Sequence, residues 1–208
     1  MKCKGCGLIF MGIVPNPEKL KKHYPKEYYS YNKIDSGSFK SKIRMLLYDL
    51  YFNHNNSNSL LKILFLPLLP FSRGAVILPG KKLLDIGCGS GQFIYEMKQF
   101  GMEVYGLEPG KFDKKSAKKN GLNIKNANLL KTRYRGGYFD VITINHVLEH
   151  VFDPTRNIKE IYSILKKNGK LIVGIPNYQS LAFFLFGKNW YQFDIPRHLN
   201  DFSDKILI

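Results

Sequence analysis

The stretch Leu83 to Gly91, Leu-Leu-Asp-Ile-Gly-Cys-Gly-Ser-Gly, constrains the rest of the chain. Leu83, Leu84 and Ile86 close a short apolar run behind Lys81-Lys82, which reads as a buried strand emptying into a tight turn. Gly87, Gly89 and Gly91 admit backbone conformations closed to other residues and let a ligand approach closely. Phe93, Met97 and Phe100 then recur at i, i+4 and i+7, so a helix begins near Gly91. A strand, a glycine turn and a helix N-terminus together make a cradle of the nucleotide-binding type. The spacing G-x-G-x-G is one residue short of the dinucleotide fingerprint. No G-x-x-x-x-G-K-[ST] occurs, which excludes a P-loop. Asp85 stands two residues before the first glycine, placed to meet a cationic or hydroxyl-bearing ligand. Glu108 closes a second apolar stretch, Val104 to Leu107, about 20 residues after Gly87, the separation expected of a carboxylate that grips a ribose diol.

From Lys82 onward strand and helix patterns alternate. Strands are expected near 82–87, 103–107 and, more weakly, 122–126, with helices near 91–100 and 111–119, the second stopped at Asn120-Gly121. Phe139 to Asn145 is a fourth strand. Asp153 is expected to cap the next helix with Pro154 at its first position. Ile158, Ile161, Tyr162 and Leu165 are expected as its buried stripe and Gly169 as its C-cap, before a fifth strand from Lys170 to Ile175. Such alternation predicts an α/β fold with a mainly parallel sheet and a site at the strands' carboxyl ends.

Asp85, the G-x-G-x-G loop and Glu108 together resemble the class I S-adenosylmethionine (SAM)-dependent methyltransferases. The resemblance is most specific over 83–108 and 139–177. It implies a Rossmann-like, doubly wound sheet, with SAM as cofactor. It also implies cofactor-binding roles for Asp85, Gly87, Cys88, Gly89, Gly91, Glu108, Pro109, Asn128, Asn145 and His146. In that family the first acidic residue lies near the methionine end of SAM and the second binds the ribose hydroxyls. Asn128 follows the weak third strand, where the family often has an acidic residue facing the adenine amino group. The family sheet has two further strands, so the fold is expected to be incomplete at the C-terminus.

The expected organisation is a partial zinc-ribbon-like lead-in over 1–31, a helical lead-in or lid over 32–80, the SAM-binding domain over 81–177, and a substrate-side segment over 178–208. Cys3 and Cys6 form a C-x-x-C pair ending in glycine, half of a zinc knuckle. With Pro15-Asn16-Pro17 and Tyr24 to Tyr29, this stretch resembles the lead-in of a methyltransferase subfamily in which an upstream C-x-x-C completes a zinc ribbon. By that resemblance the chain is cut inside the ribbon, and zinc belongs only to a longer parent. Phe39, Ile43, Leu46, Leu47 and Leu50 share a helical stripe. Leu60 to Phe71 is strongly apolar, too short to span a bilayer and interrupted by Pro67 and Pro70. It reads as a core or lid helix, with peripheral membrane contact through snorkelling Lys62 and Arg73 as the other reading. Three unevenly placed cysteines and the absence of an apolar leader favour the cytoplasm. The formal net charge of +16 attracts anionic partners, but Lys114, Lys115, Lys118 and Lys119 read as a solvated helix face rather than a nucleic-acid surface.

Beyond the fourth strand runs Asn145-His146-Val147-Leu148-Glu149-His150. It is not an Asn/Asp-Pro-Pro-Tyr motif, which argues against amino methylation of DNA bases. It is similar to the segment that many small-molecule methyltransferases carry at the SAM-facing strand end. His146, Glu149 and His150 share a face if helical. Three readings stand: His150 as a general base oriented by Glu149; Glu149, His150, His146 and the distant His198 as divalent-metal ligands; or a pair that only pins the turn. The metal reading resembles the Glu-x-x-Glu-His pattern of ubiquinone-pathway and small-RNA ribose O-methyltransferases, with histidine in place of their first glutamate. The catalytic set taken forward is His150, Glu149 and His198, without a metal. Trp190 to Leu199 resembles the substrate-side segment of the zinc-ribbon subfamily, where aromatics stack on a ring and Arg197 holds a phosphate or carboxylate; a packed lid is the other reading. The expected activity is methylation of a small-molecule or glycan-linked acceptor, at oxygen. The alternatives are an RNA methyltransferase, a nucleic-acid-binding protein on the same scaffold, or an inactive fragment.

Overall fold

A computed structural model describes residues 1–23, 34–35, 37–53, 56, 58–72, 74–192 and 194–207. Tyr24 to Tyr29 and Arg73, singled out above, lie outside the described residues. Five parallel strands, β2 (Lys82–Ile86), β3 (Glu103–Leu107), β4 (Asn123–Lys125), β5 (Phe139–Asn145) and β6 (Leu165–Gly174), stand in the order β4-β3-β2-β5-β6. The chain leaves β2 in one direction and returns to pair β5 on its other side. That reversal opens a crevice beyond the carboxyl ends of β2 and β5. This is a Rossmann-like parallel sheet, as expected.

Alternation along each strand sends neighbouring side chains to opposite faces. Leu83, Val104 and Val141 meet Phe93, Ile94 and Met97 of α4 (Gln92–Gln99) and Tyr48 of α2 (Phe39–Phe52). Leu84, Ile86, Ile142 and Ile144 meet Ile161 and Ile164 of α6 (Pro154–Ile164) on the other face. Each such fully buried side chain contributes about 1.5–3 kcal/mol. α5 (Lys114–Lys119) adds only Ala117 to the core, and its four lysines face solvent.

α2 is held over α4 by a buried ion pair. Arg44 donates to Glu96 Oε1 from Nε at 2.9 Å and from Nη2 at 2.6 Å. Gln92 adds its amide to the same oxygen at 2.7 Å, and exchanges bonds with the backbone of Asp35.

The structure departs from the sequence expectations in several places. The stripe of α6 is Asn157, Ile161 and Ile164, with Ile158 beside it, whereas Tyr162 is 82% exposed and Leu165 lies beyond the helix. The helix turns directly into β6, so Gly169 is not its C-cap. Leu165, with φ −77° and ψ 136°, already has strand geometry. The residues after it form a bulge in which Leu165 pairs Phe139 and Lys170 pairs Val141, with Asn168 at φ 65°. A Cβ on Gly169 would lie 2.8 Å from Leu165 Cδ1, so glycine serves the tight bulge instead. On α2 the buried residues are Ser41, Leu47, Tyr48 and Leu50, whereas Phe39 and Leu46 are exposed. The apolar 60–71 run is not a core helix. It forms α3 (Ser59–Phe65), which buries no residue, and then a 3-10 turn (Leu66–Phe71).

A second, two-stranded sheet pairs β1 (Ile9–Phe10) with β7 (Asn200–Asp201) in antiparallel register, bringing the cysteine-bearing N-terminal turn against the segment that follows His198. Short helices α1 (Pro17–Lys21), α7 (Leu181–Phe186) and α8 (Asp204–Leu207) lie outside the two sheets.

Candidate active site

The crevice holds a cavity of about 710 Å³ lined by the glycine loop, the ends of β3 and β5, and the start of α6. Gly87, Gly89 and Gly91 have φ of 74°, 56° and 88°, the left-handed region that side chains disfavour. A Cβ on Gly87 would stand 2.2 Å from Val147 Cγ2, so this glycine is required by packing as well as by dihedral. The amides of Gly87 and Cys88 donate to the Leu107 carbonyl at 2.7 and 3.0 Å, which fastens the loop to β3. Cys88 is buried, and a Cβ on the neighbouring Gly106 would lie 2.6 Å from its Sγ.

Glu108 reaches back from the end of β3 under this loop. Its Oε2 accepts from the Gly89 amide at 2.8 Å and its Oε1 from the Gly110 amide at 2.7 Å. Burial pushes its pKa up, and the two amides pull the other way. A carboxylate has about four acceptor positions, so two remain for hydroxyls in the cavity. Asn126, which the sequence reading did not single out, donates its amide to the carbonyls of Glu108 and Gly110 at 2.8 and 2.9 Å and fixes that turn. Pro109 lines the cavity beside it.

Asp85 does not line the cavity. It lies buried beneath the loop and accepts from Thr143 Oγ1 at 2.6 Å. Asn128 does line it, but its side-chain oxygen accepts from the Lys131 amide at 3.1 Å, capping a short 3-10 turn (Leu129–Lys131). Ala127, Leu129 and Leu130 form an apolar wall there that no motif announced. Asn145 ends β5 with Nδ2 buried and without a hydrogen-bond partner among the described residues. A Cβ on Gly174 would come within 2.3 Å of its Oδ1, so the small residue on β6 makes room for this amide. Phe152, Arg156 and Asn157 enclose the far side.

His146 has φ 54°, an uncommon left-handed value for a side-chain-bearing residue, held by its amide donating to the Gly174 carbonyl at 2.8 Å. Its Nδ1 lies 3.3 Å from Glu149 Oε1, ion-pair distance without hydrogen-bond geometry. Glu149 is 1% exposed and neither carboxylate oxygen has a hydrogen-bond partner among the described residues. The segment is a 3-10 turn (Leu148–His150), so His146 lies before it rather than on a shared helix face.

His150 lines the cavity, and its Nδ1 lies 2.9 Å from the Arg197 carbonyl. A carbonyl only accepts, so Nδ1 carries the proton and Nε2 carries the lone pair in the neutral ring. His198 packs edge-on against His150, with ring centroids 4.7 Å apart. Its pKa is lowered to about 4, first by burial and then by His150, so the ring is neutral at neutral pH. One ligand-capable atom from each of Glu149, His150 and His198 lies within 4.8 Å of the others. The 194–200 segment is locked to the turn by the Leu199 amide on the Glu149 carbonyl at 2.7 Å and by Asn200 Nδ2 on the Val151 carbonyl at 2.8 Å. Arg197 is engaged with Asp194, and Trp190 is buried against Phe183 with ring centroids 5.8 Å apart. Both therefore take part in packing, unlike the open acceptor contacts considered for them.

The glycine cradle, the carboxylate at the end of β3 and the switch point between β2 and β5 define a nucleoside-binding methyltransferase fold. The sequence profile of the family described as "Methyltransferase domain" matches residues 53–207, and the chain belongs to that family, with SAM as its cofactor. The residues fit that cofactor: the buried Glu108 carboxylate with acceptor capacity, Gly87 without room for a Cβ, and the buried Asn145 amide with no partner among the described residues all border one cavity, whereas Gly91 lies behind its lining. Among curated proteins, the chain is 33% identical over 137 residues to the ubiquinone biosynthesis O-methyltransferase of Haemophilus ducreyi, covering 60% of this chain and 58% of that protein. It is 34% identical over 146 residues to the protein of the same name from Pelagibacter ubique, covering 60% of each. The chain thus spans about three-fifths of the length of these relatives. A solved SAM-dependent methyltransferase from Archaeoglobus fulgidus is 25% identical with a TM-score of 0.49, covering 78% of this chain and 69% of that one.

Proposed function

We propose that the protein transfers a methyl group from SAM to a hydroxyl of a small, non-glycan molecule, with His150 as general base. The juxtaposition of His150 with the cavity and with Glu149 and His198 carries the reading. Two relatives named as ubiquinone biosynthesis O-methyltransferases support oxygen as the acceptor atom and an aromatic hydroxyl as its class. Bound SAM supplies a methyl carbon already activated by a sulfonium, so this chain contributes alignment, water exclusion and proton removal. Glu108 would take the ribose hydroxyls on its remaining acceptor positions, and Asn145 would turn its Nδ2 to an acceptor on the methionine portion. The proton on His150 Nδ1 is held by the Arg197 carbonyl, so Nε2 takes the acceptor's proton. The buried Glu149 carboxylate then offsets the positive charge that forms on the ring.

A second reading is favoured by one observation: Glu149, whose two buried oxygens lack hydrogen bonds among the described residues, lies with the imidazoles of His150 and His198 so that one ligand-capable atom of each is within 4.8 Å of the others. These residues would hold a divalent cation that lowers the acceptor hydroxyl's pKa. Single-turnover transfer from methyl-labelled SAM to a panel of catechols and quinols separates the two readings. The base reading predicts a rate for His150→Gln at least about a hundredfold below wild type at saturating SAM, with the wild-type rate unchanged by chelator. Loss of the wild-type rate in chelator moves the assignment to the cation. Wild-type transfer by His150→Gln removes both.

A further inference from the structure

The second helix of the lead-in region has no buried residue, although it reads Ser-Leu-Leu-Lys-Ile-Leu-Phe. On α3, Leu60, Ile63 and Leu64 are 78%, 72% and 69% exposed, and at i, i+3 and i+4 they share one face. Leu66 continues the surface at 56% exposure. α2 packs against α3, joined by the Tyr51 hydroxyl donating to the Lys62 carbonyl, and leaves Phe39 exposed with Lys40 and Lys42 on its first turn. Exposed single hydrophobics need no explanation, but a contiguous helix face of them does.

Charge narrows what can cover this face. Across α2 and α3 the acidic side chain is Asp49, against Lys40, Lys42, Lys62 and Arg44, the last of which is paired with Glu96. The Asp49 carboxylate is taken by the amides of Asn53 and Asn56, each at 2.8 Å. A second copy of this chain would bring +16 against +16. A surface that is both apolar at its boundary and negatively charged matches an apolar face among lysines. Among the described residues no helix is long and apolar enough to cross a membrane, so the contact lies in the plane of the surface.

We propose that the exposed face of α3, together with the lysines that open α2, docks on an anionic lipid bilayer. The apolar side chains enter the boundary between headgroups and acyl chains, and the lysines meet the lipid phosphates. This contact is independent of the acceptor and of the chemistry in the cavity.

Flotation of the protein with vesicles tests it, comparing phosphatidylcholine alone with phosphatidylcholine containing roughly one-third phosphatidylglycerol. The protein is expected to float with the anionic vesicles, and less so as salt is raised. Ile63→Glu with Leu64→Glu is expected to weaken binding at least about tenfold, because carboxylates replace the inserted side chains. Lys40→Glu with Lys42→Glu is expected to weaken it by a similar amount, at roughly fivefold or more per lysine. All four positions are surface sites, so melting temperatures should stay close to wild type. No binding to anionic vesicles overturns the proposal, as does equal binding by wild type and both variant pairs. A wild-type dimer that Ile63→Glu disperses, with no affinity for vesicles, overturns it in favour of a second copy as the occupant.

Discussion

In the proposed cradle Glu108 would couple loop order to ligand capture. Its carboxylate already accepts from the Gly89 and Gly110 amides, so Glu108→Ala would remove more than the ribose contact proposed for it. Calorimetry with this variant should show SAM affinity reduced by at least about tenfold, together with a lower melting temperature from the two stranded amides. Gly87 makes a sharper geometric case. Gly87→Ala would combine an unfavourable φ of 74° with a Cβ 2.2 Å from Val147, and should cost about 1–3 kcal/mol in denaturant unfolding. Adding Val147→Ala should recover part of that loss; strict additivity of the two changes would show that the contact is not the cause. His198 gives a pH signature. Its pKa falls from 6.5 to about 4 on folding, so as pH drops the unfolded chain takes up the proton first. Its contribution to stability is therefore whole above about 6.5 and is lost as pH falls toward 4, on the order of 3 kcal/mol. Asp201, raised to about 6 by burial, acts in the opposite sense over much the same window, so the wild-type profile mixes the two. The difference in stability between wild type and His198→Gln isolates the histidine: it should be largest near pH 7 and shrink toward pH 4, and a difference constant with pH would contradict the assignment.

At the scale of elements, sequence period identified most strands and helices because each buries a continuous apolar face. β2, β3 and β5 coincide with runs of Leu, Val and Ile that leave little choice of structure. The phase of an amphipathic helix was less legible. Tyr162 looks as apolar as Ile161 and Ile164, and only the position of the sheet decides which of them are buried. The Lys166 to Gly169 bulge and the pairing of β1 with β7 depend on contacts distant in sequence, for which local pattern carries no signal. Site residues divide the same way. The glycines and Glu108 are announced by spacing, whereas Asn126 and Gly174 act through partners 16 to 29 residues away. The C-x-x-C turn leads into β1, and hydrogen bonds from the Cys6 and Gly5 amides pull the Cys3 thiol below its usual pKa. Such bonds stabilise a thiolate ligand, but a structural zinc site wants four. Elemental analysis should find no stoichiometric zinc in the protein; one tightly held ion per chain would contradict this.

Over the whole molecule, chemistry and charge are separated. The cavity is built from the carboxyl ends of the sheet, and among the described residues its lining holds Arg156 but no lysine. The segment most distant in sequence from the glycine loop delivers His198 to Glu149 and His150, an arrangement that the sequence allowed but only the fold assembles. The central claim is that this cavity is the SAM cradle. Titrating SAM into the wild-type protein and into Glu108→Ala by calorimetry tests it most directly. The account predicts one bound SAM per chain and at least about a tenfold weaker complex with the variant. A wild-type protein that binds no SAM, or a variant that binds it equally well, would contradict it.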